Sequence, residues 1–200
     1  MRKSQLWRRG TAERSENGRS LPGMSGVTIR PARPRDVPGI LEHIRELAEF
    51  ERERDSVEAT EAGLAAALFG EQPHAFAHVA VVTEGEGSEE SIAGIALWFL
   101  TFSTWTGRHG IWLEDLHVRP EHRGAGIGRR LLAELAAICV SRGYRRLEWS
   151  VLDWNEPARG FYKSIGAREL DDWITNRVEG DLLRRLGGDE DVQETVELRP

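Results

Sequence analysis

The residues best suited to chemistry lie in one glycine-rich segment: Arg123, Gly124, Ala125, Gly126, Ile127 and Gly128. Glycine has no Cβ, so its backbone takes positive φ readily and can lie close against a bound group. If a helix begins here, up to four backbone N–H groups lack intrahelical partners, and the aligned peptide dipoles add roughly half a positive charge. Anions are stabilised at such a helix start, and Arg123 and Arg129 add charge. The segment therefore predicts a site for a phosphate or diphosphate.

The glycines lie between a predicted strand and a predicted helix. The strand is indicated by apolar residues between Gly110 and Pro120, namely Ile111, Leu113, Leu116 and Val118. The helix ends near Gly143 and is indicated by apolar residues at three- and four-residue steps, namely Ile127, Leu131, Leu132, Leu135, Ile138 and Cys139.

Three interpretations of the glycines compete with a specific cofactor loop. They could form only a tight strand-to-helix turn. A dinucleotide-binding fold has its glycines after the first strand and an acidic residue about twenty positions later, whereas here the glycines come past the middle and Glu148 opens the next strand. A Walker loop needs Gly-Lys-Ser or Gly-Lys-Thr, and the segment lacks that triplet.

The composition is that of a globular protein with an acidic balance. The 200 residues are 40% hydrophobic and 30% charged, with a net charge of -6. The length suits one domain with its own core, and the acidity argues against nonspecific nucleic-acid binding. The longest apolar run, residues 92–100, is well short of the ~18 residues that span a bilayer, and the N-terminus lacks the apolar stretch of a signal peptide. Cys139 is the only cysteine and falls on the apolar helix face, so we expect a core thiol and a cytoplasmic protein. From the charge and the short apolar runs, we expect no nucleic-acid or membrane partner.

The chain is predicted to form one domain, residues 25–186, between two irregular ends. Residues 1–24 lack apolar periodicity and are predicted to be a disordered extension, and residues 187–200 a tail. Between them the pattern predicts an α/β fold with one mixed sheet (α+β type) in the order β-α-α-β-β-β-α-β-α-β. A polar hairpin loop is predicted at residues 84–91, the last central strand at 146–152, and a short helix at 157–164.

With these elements placed, the chain resembles a known family. The pattern R-x-x-G-x-G after a strand is similar to the acetyl-CoA loop of the GNAT acyltransferase superfamily. The segments W-L-E-D-L-H-V (residues 112–118) and W-N-E-P-A-R-G-F-Y-K (residues 154–163) are similar to those of the diamine (spermidine/spermine-type) acetyltransferases. The resemblance runs from about residue 27 to residue 173.

The resemblance implies a GNAT-like fold and an N-acetyltransferase that uses acetyl-CoA as acetyl donor. It implies that the main chain of residues 116–118, at the end of the strand before the glycines, pairs with the pantetheine amides. It also implies that the glycine loop holds the diphosphate and that a segment after Trp154 contacts the cofactor. The cofactor-binding residues are then Leu116, His117, Val118, Arg123, Gly124, Ala125, Gly126, Ile127, Gly128, Arg129, Asn155, Glu156, Pro157 and Ala158. Asn155 and Pro157 also suit the N-cap and first turn of a helix.

Acetylation of an amine needs a proton acceptor and a proton donor. A primary amine of pKa near 10.4 must lose its proton, at a cost of about 4.6 kcal/mol at pH 7, and the departing thiolate must gain one. Glu114 is the candidate for the first role, because it lies on the strand that leads into the loop and matches a substrate-contacting carboxylate of the family. Asp115 is expected to point to the opposite face of the strand. The resemblance makes Tyr162 the general acid.

The amine itself is expected to meet acidic and aromatic groups. The resemblance implies that Phe50 and Glu51, at the position of a Tyr-Glu pair, bind the substrate together with Glu114 and Asp172. No metal site is expected. His74 and His78 lack an adjoining carboxylate motif, and His117 is expected to be structural or exposed.

The predicted function is therefore acetyl transfer to the primary amine of a small polyamine- or diamine-like substrate by direct attack, in a homodimer. Two alternatives remain open: acetylation of a protein lysine or N-terminus, and a regulator that binds acyl-CoA without catalysis.

Overall fold

A computed structural model describes residues 26–83 and 90–188. The chain divides after Trp154 into two compact units. The strands of the first unit are β1 (Val27–Pro31), β2 (Phe76–Thr83), β3 (Glu90–Ser103), β4 (Arg108–Val118) and β5 (Leu147–Glu148). Its helices are α1 (Val37–Phe50), α2 (Glu61–Phe69) and α3 (Ile127–Arg142). The second unit contains α4 (Glu156–Ser164) and α5 (Gly180–Leu186).

The five strands form one sheet in the order β1-β2-β3-β4-β5. The first four are antiparallel neighbours, and β5 runs parallel to β4. Long ladders join β2, β3 and β4, whereas β5 pairs with β4 only where Ile111 faces Leu147 and Trp112 faces Glu148. Within the described residues, the last six residues of β4 therefore have no ladder partner in β5, and all of them except Glu114 pair with β3.

Helices cover both faces of the sheet. One face packs against α1 and α2 in a core formed by Ile40, Leu68, Ala77, Val79, Val81, Ile95 and Leu97. The opposite face meets α3, whose Leu131 and Leu135 are fully buried. A Cβ on Gly94 would lie 2.9 Å from the carbonyl oxygen of His117 and 3.3 Å from Cγ2 of Ile127. A glycine is therefore required where α3 comes close to β3 and β4.

The predicted strands and helices that flank the glycine loop are confirmed, and α3 ends at the predicted Gly143 in a left-handed cap. Cys139 is buried, as predicted. The predicted strand at 146–152 is wrong in length, because β5 ends at Glu148; an apolar pattern alone cannot show where a neighbouring strand stops pairing. Helix α5 was not predicted.

Several predicted features lie outside the described residues: the extension 1–24, most of the hairpin loop 84–91, and residues 189–200 of the tail, where a final strand would fall. The domain limits remain predictions. None of the helices in the described ranges combines the length and apolar character needed to cross a membrane.

An ion pair closes the junction between β1 and α1. The guanidinium of Arg30 donates to both carboxylate oxygens of Asp36, at 2.6 and 3.0 Å, and the backbone N–H of Arg33 donates to the same carboxylate at 2.6 Å. The two side chains are 11% and 6% exposed. Burial alone raises the pKa of Asp36, but the hydrogen bonds from Arg30 and Arg33 outweigh it and hold that pKa below its ordinary value of 3.8.

We predict that Asp36→Asn lowers the free energy of unfolding by about 3 kcal/mol, because it leaves the buried charge of Arg30 without the carboxylate that accepts two of its hydrogen bonds. Glu90→Gln, which removes the exposed second partner of Arg30, should cost less than about 1 kcal/mol. Since the folded pKa of Asp36 lies below the unfolded one, its contribution is present above about pH 4 and lost as the pH falls further. Urea melts at pH 7 and pH 3 measure both effects, and equal losses in the two variants would contradict the prediction.

Candidate active site

The glycine loop forms the start of α3 in the predicted manner. After a 3-10 turn at Pro120–His122, Gly124 and Gly126 take φ of 78° and 74°, the left-handed region that glycine enters without strain. Gly126 is the N-cap of α3 and offers no side chain to the first turn, whereas Thr60 caps α2 by accepting from the N–H of Gly63 at 3.1 Å. The first backbone N–H groups of α3 are thus left for an external acceptor.

Arg123 connects this loop to the end of β4. Its Nε donates to the carbonyl oxygen of Val118 at 2.9 Å, and its guanidinium carbon lies 5.9 Å from the ring centre of Phe50 at the end of α1. Arg129 is exposed on the first turn of α3. Both positive charges therefore lie close to the glycines in sequence, and Arg123 is held by an aromatic ring and a strand carbonyl.

The open edge of β4 is the second component of the site. Beyond the pairing of Trp112 with Glu148, the ladder between β4 and β5 stops, while the ladder with β3 continues to Val118. Backbone groups of Leu116 and Val118 that point away from β3 lie along this edge. A ligand that carries amide groups can bind such an edge as an added strand.

A β-bulge interrupts β4 at Glu114. Leu97 of β3 faces Asp115, the next residue Trp98 faces Leu113, and Glu114 is the extra residue. The strict alternation of faces that the sequence prediction assumed for Glu114 and Asp115 therefore does not hold here. Glu114 is exposed and accepts a hydrogen bond from Nε1 of Trp112 at 2.9 Å.

Two neighbouring carboxyl groups act on Asp115 at this bulge. Burial, followed by the negative charges of Glu114 and Glu51, raises the pKa of Asp115 to about 6. Burial also raises the pKa of Glu51, helped by Glu53. A cation placed beside Asp115 would offset the repulsion that Glu114 and Glu51 exert on its carboxylate. The structure thus joins two predicted substrate residues to Asp115, which sequence reasoning had set aside.

Phe50, which precedes Glu51 in the chain, lies near a second aromatic ring. The ring of Phe50 lies 5.7 Å from that of Trp154, and the guanidinium of Arg52 lies over the Trp154 ring at 5.9 Å. Arg52 has a φ of 65°, unusual for a residue with a Cβ. Phe50 and Trp154 remain 42% and 47% exposed, so both can contact a ligand.

The second unit carries the remaining predicted residues. Asn155 caps α4 by accepting from the N–H of Ala158 at 3.2 Å, which confirms its predicted capping role. Tyr162 is half-buried in α4, and its ring lies 5.3 Å from that of Phe161. Glu156 and Pro157 form the exposed first turn, and Asp172 is exposed beyond the helix.

Sequence reasoning missed a buried histidine pair between α1 and β4. Nδ1 of His43 lies 2.7 Å from Nδ1 of His117, and both side chains are buried, which settles the open question of whether His117 is exposed. His43 continues the helical spacing of Ile40 and Leu47, and this spacing was the available signal that it faces the core. His78 is also buried, and its Nδ1 accepts from Nε1 of Trp98 at 3.1 Å.

Comparison with known proteins gives a consistent match. Residues 40–167 match the model of the acetyltransferase (GNAT) family. The chain is 41% identical over 170 residues to thialysine N-epsilon-acetyltransferase of Sus scrofa, covering 82% of this chain and 99% of that protein. It is 29% identical over 197 residues to L-ornithine N5-acetyltransferase NATA1 of Arabidopsis thaliana, covering 79% and 86%.

Among solved structures, the chain is similar to an integron cassette protein from the mobile metagenome of V. cholerae. The TM-score is 0.66 at 28% sequence identity, over 82% of this chain and 99% of that one.

We predict that Gly126→Val weakens binding of coenzyme A at least about tenfold, because a branched side chain would stand where the diphosphate approaches the backbone. The ideal Cβ meets no atom within 4 Å, so the loss of stability comes from the left-handed backbone alone, roughly 1–2 kcal/mol. Gly143→Val is the matched control, since Gly143 at the other end of α3 has a φ of 68° and equally open surroundings. Calorimetric titration with coenzyme A and urea melts test this; equal affinity in the two variants would exclude the loop as the phosphate site.

We predict that Asp115→Asn raises the free energy of unfolding at pH 8 by on the order of 1–2 kcal/mol, because it removes a buried charge that Glu114 and Glu51 repel. The folded pKa of Asp115 lies above the unfolded one, so the wild type loses stability as the pH rises from about 4 to 7. The variant should lack that loss. Glu114→Gln is the exposed control. Denaturant melts across this pH range that show the same pH dependence for wild type and Asp115→Asn would contradict the raised pKa of Asp115.

Proposed function

The chain belongs to the GNAT acetyltransferase family and is an N-acetyltransferase whose acetyl donor is acetyl-CoA. From this premise we propose that it acetylates the primary amine of a small polyamine- or diamine-like substrate by direct attack. The observation that carries this proposal is the group of carboxylates Glu51, Glu114 and Asp115 beside the open edge of β4. An exposed peptide groove would not need a buried carboxyl group close to two other carboxylates, whereas a compact ammonium ion is a natural partner for them.

The proposal places the cofactor along two features of the first unit. The diphosphate binds the uncapped N–H groups at the start of α3, where dipole and arginine charges favour an anion. The amides of the pantetheine arm pair with the edge formed by Leu116, His117 and Val118 as a further strand would. Together these contacts aim the thioester along β4 toward the bulge at Glu114, and this positioning is the main contribution of the enzyme to the rate.

The acceptor amine binds among the carboxylates with its aliphatic chain against Phe50 and Trp154. A primary ammonium ion next to an aromatic ring gains cation–π attraction as well as charge pairing. The relatives support a short chain that ends in an amine, since their names specify acetylation of the N-epsilon nitrogen of thialysine and of N5 of ornithine. Asp172, which the family resemblance places near the substrate, is kept in this role.

The attacking amine must be neutral, so its proton has to pass to the protein or to water. Glu114 holds the cationic substrate and relays this proton through water. Asp115 assists, because a carboxyl group whose pKa is about 6 accepts a proton more readily at neutral pH than an ordinary aspartate. The amine then attacks the thioester carbon, the C–S bond breaks and the thiolate of coenzyme A departs. The acetyl group is then bonded to the amine nitrogen, and no covalent enzyme intermediate forms.

Tyr162 is assigned the proton donor for the departing thiolate. A phenol of pKa about 10 gives its proton to a thiolate of pKa about 8.5 only uphill, so the transfer must be coupled to C–S cleavage or product release. The cofactor contacts of Asn155, Glu156, Pro157 and Ala158, a homodimeric assembly and a cytoplasmic location complete the proposal; all of these come from the family resemblance.

The test is a thiol-release assay with acetyl-CoA and a panel of amines: thialysine, ornithine, putrescine, spermidine and a lysyl peptide. We expect turnover with the small amines, and Tyr162→Phe should lower kcat by roughly 100-fold or more with unchanged affinity for coenzyme A. Tyr144→Phe is the matched control, because Tyr144 is the only other tyrosine of the chain and makes an edge-to-face contact with His109. Turnover of the peptide alone would overturn the substrate class, and tight binding of acetyl-CoA without turnover of any amine would identify a regulator.

A further inference from the structure

The buried pair of His43 and His117 has one arrangement of hydrogens. Nε2 of His43 lies 3.0 Å from the carbonyl oxygen of Ile92. A carbonyl can only accept, so this nitrogen carries the hydrogen of the neutral ring, and Nδ1 of His43 is a lone-pair acceptor. The N–H at Nδ1 of His117 therefore donates to Nδ1 of His43 across 2.7 Å.

The geometry of the two rings fits a hydrogen bond and does not fit coordination of one metal ion by both rings. Together with Glu46, the two rings offer three ligand atoms within 4.8 Å of one another. Two nitrogens at about 2.0–2.1 Å from one tetrahedral ion would be well over 3 Å apart, which is wider than the separation found here. The carboxylate of Glu46 is in addition held by Nε and Nη2 of Arg119.

The position of His117 connects this pair to the cofactor edge. His117 lies between Leu116 and Val118 on the part of β4 that extends beyond β5, and its side chain faces α1 while the strand edge stays open. His43 lies seven residues before Phe50 on the same helix. One hydrogen bond thus joins the helix that leads to the substrate residues to the strand that the cofactor would extend.

Burial is the main reason that both rings stay neutral. Burial, together with His43, Arg123 and Arg119, lowers the pKa of His117 to about 4. Burial and Arg119 also lower the pKa of His43, against the hydrogen bond to Ile92, which raises it. Glu46 and Glu42 on α1 oppose this, but both are paired with Arg119. Glu46 stands 3.7 Å from Nδ1 of His117, too far to replace His43 as its acceptor.

We propose that His43 is a positioning residue for acetyl-CoA: through its hydrogen bond to His117 it fixes the backbone of the open β4 edge against which the cofactor amides pair. The inference rests on the proposed function, because it presumes that this edge binds the cofactor. An edge strand with a ladder on one side is free to shift its backbone, and a binding surface must be held within a fraction of an ångström to keep its affinity. The affinity for the cofactor should therefore depend on this bond, separately from the stability of the fold.

Two variants of equal polarity separate these effects. In His43→Asn, the side-chain oxygen takes the place of Nδ1 and can still accept from His117, while the contact with Ile92 is lost. In His43→Gln, the amide reaches the place of Nε2 and can still donate to Ile92, while His117 loses its acceptor. Both should unfold at similar, lowered temperatures. We expect His43→Asn to bind coenzyme A within about twofold of wild type and His43→Gln to bind it roughly fivefold to tenfold more weakly, the range expected for one hydrogen bond.

Calorimetric titration with coenzyme A and thermal unfolding without ligand give both readouts. Equal affinities in the two variants, or affinities that simply follow unfolding temperature, would overturn the proposal. If wild type itself does not bind coenzyme A, the proposed function fails instead. The double variant His43→Leu, His117→Leu serves if the single variants do not fold, since replacing both partners leaves no buried polar group unpaired; wild-type affinity in a stable double variant would also overturn the proposal.

Wild type treated with chelator and wild type given Zn²⁺ should unfold at the same temperature, and a rise with Zn²⁺ would assign the three side chains to an ion.

Discussion

The proposed active site of this protein depends on the point at which β4 and β5 stop pairing. A strand inside a sheet has all of its backbone groups engaged, so it can offer a ligand only its side chains. Here β5 is two residues long, and β4 continues for six residues beyond the last paired position. Because the ladder ends early, an exposed edge lies between the carboxylates that precede it and the glycines that follow it.

Electrostatic features of opposite sign are placed at the two ends of that edge. At the end near α3, an uncapped helix start and arginine side chains favour an anion, and at the bulge three carboxylates favour a cation. An acyl-CoA carries its negative charge far from its thioester, and an amine acceptor carries a positive charge close to the atom that reacts. In the proposed function, this arrangement orients both substrates by charge along one strand, and the proposed role of the buried histidine pair is to hold that strand without adding a charge of its own.

Much of this design is visible in the chain before folding is considered. Alternating and helical periodicity predicted β4, α3 and their boundaries, because each pattern reflects one local period and one buried face. The glycines of the loop were identified for the same reason, since positive φ is a property of single residues. The pattern failed where the outcome depended on a neighbour: the length of β5 is set by its partner, and the bulge at Glu114 is a shift in register between two strands. The raised pKa of Asp115 and the His43–His117 bond arise from residues that are distant in sequence.

The sequence by itself determined the order of the elements up to α4, the glycine loop and the family, because local periods and short motifs encode them. The tertiary structure alone decided that β4 keeps an open edge, that Asp115 joins Glu51 and Glu114, and that His117 finds its partner in α1. These features depend on strand register and on burial, and both are fixed only when remote segments pack together and exclude water.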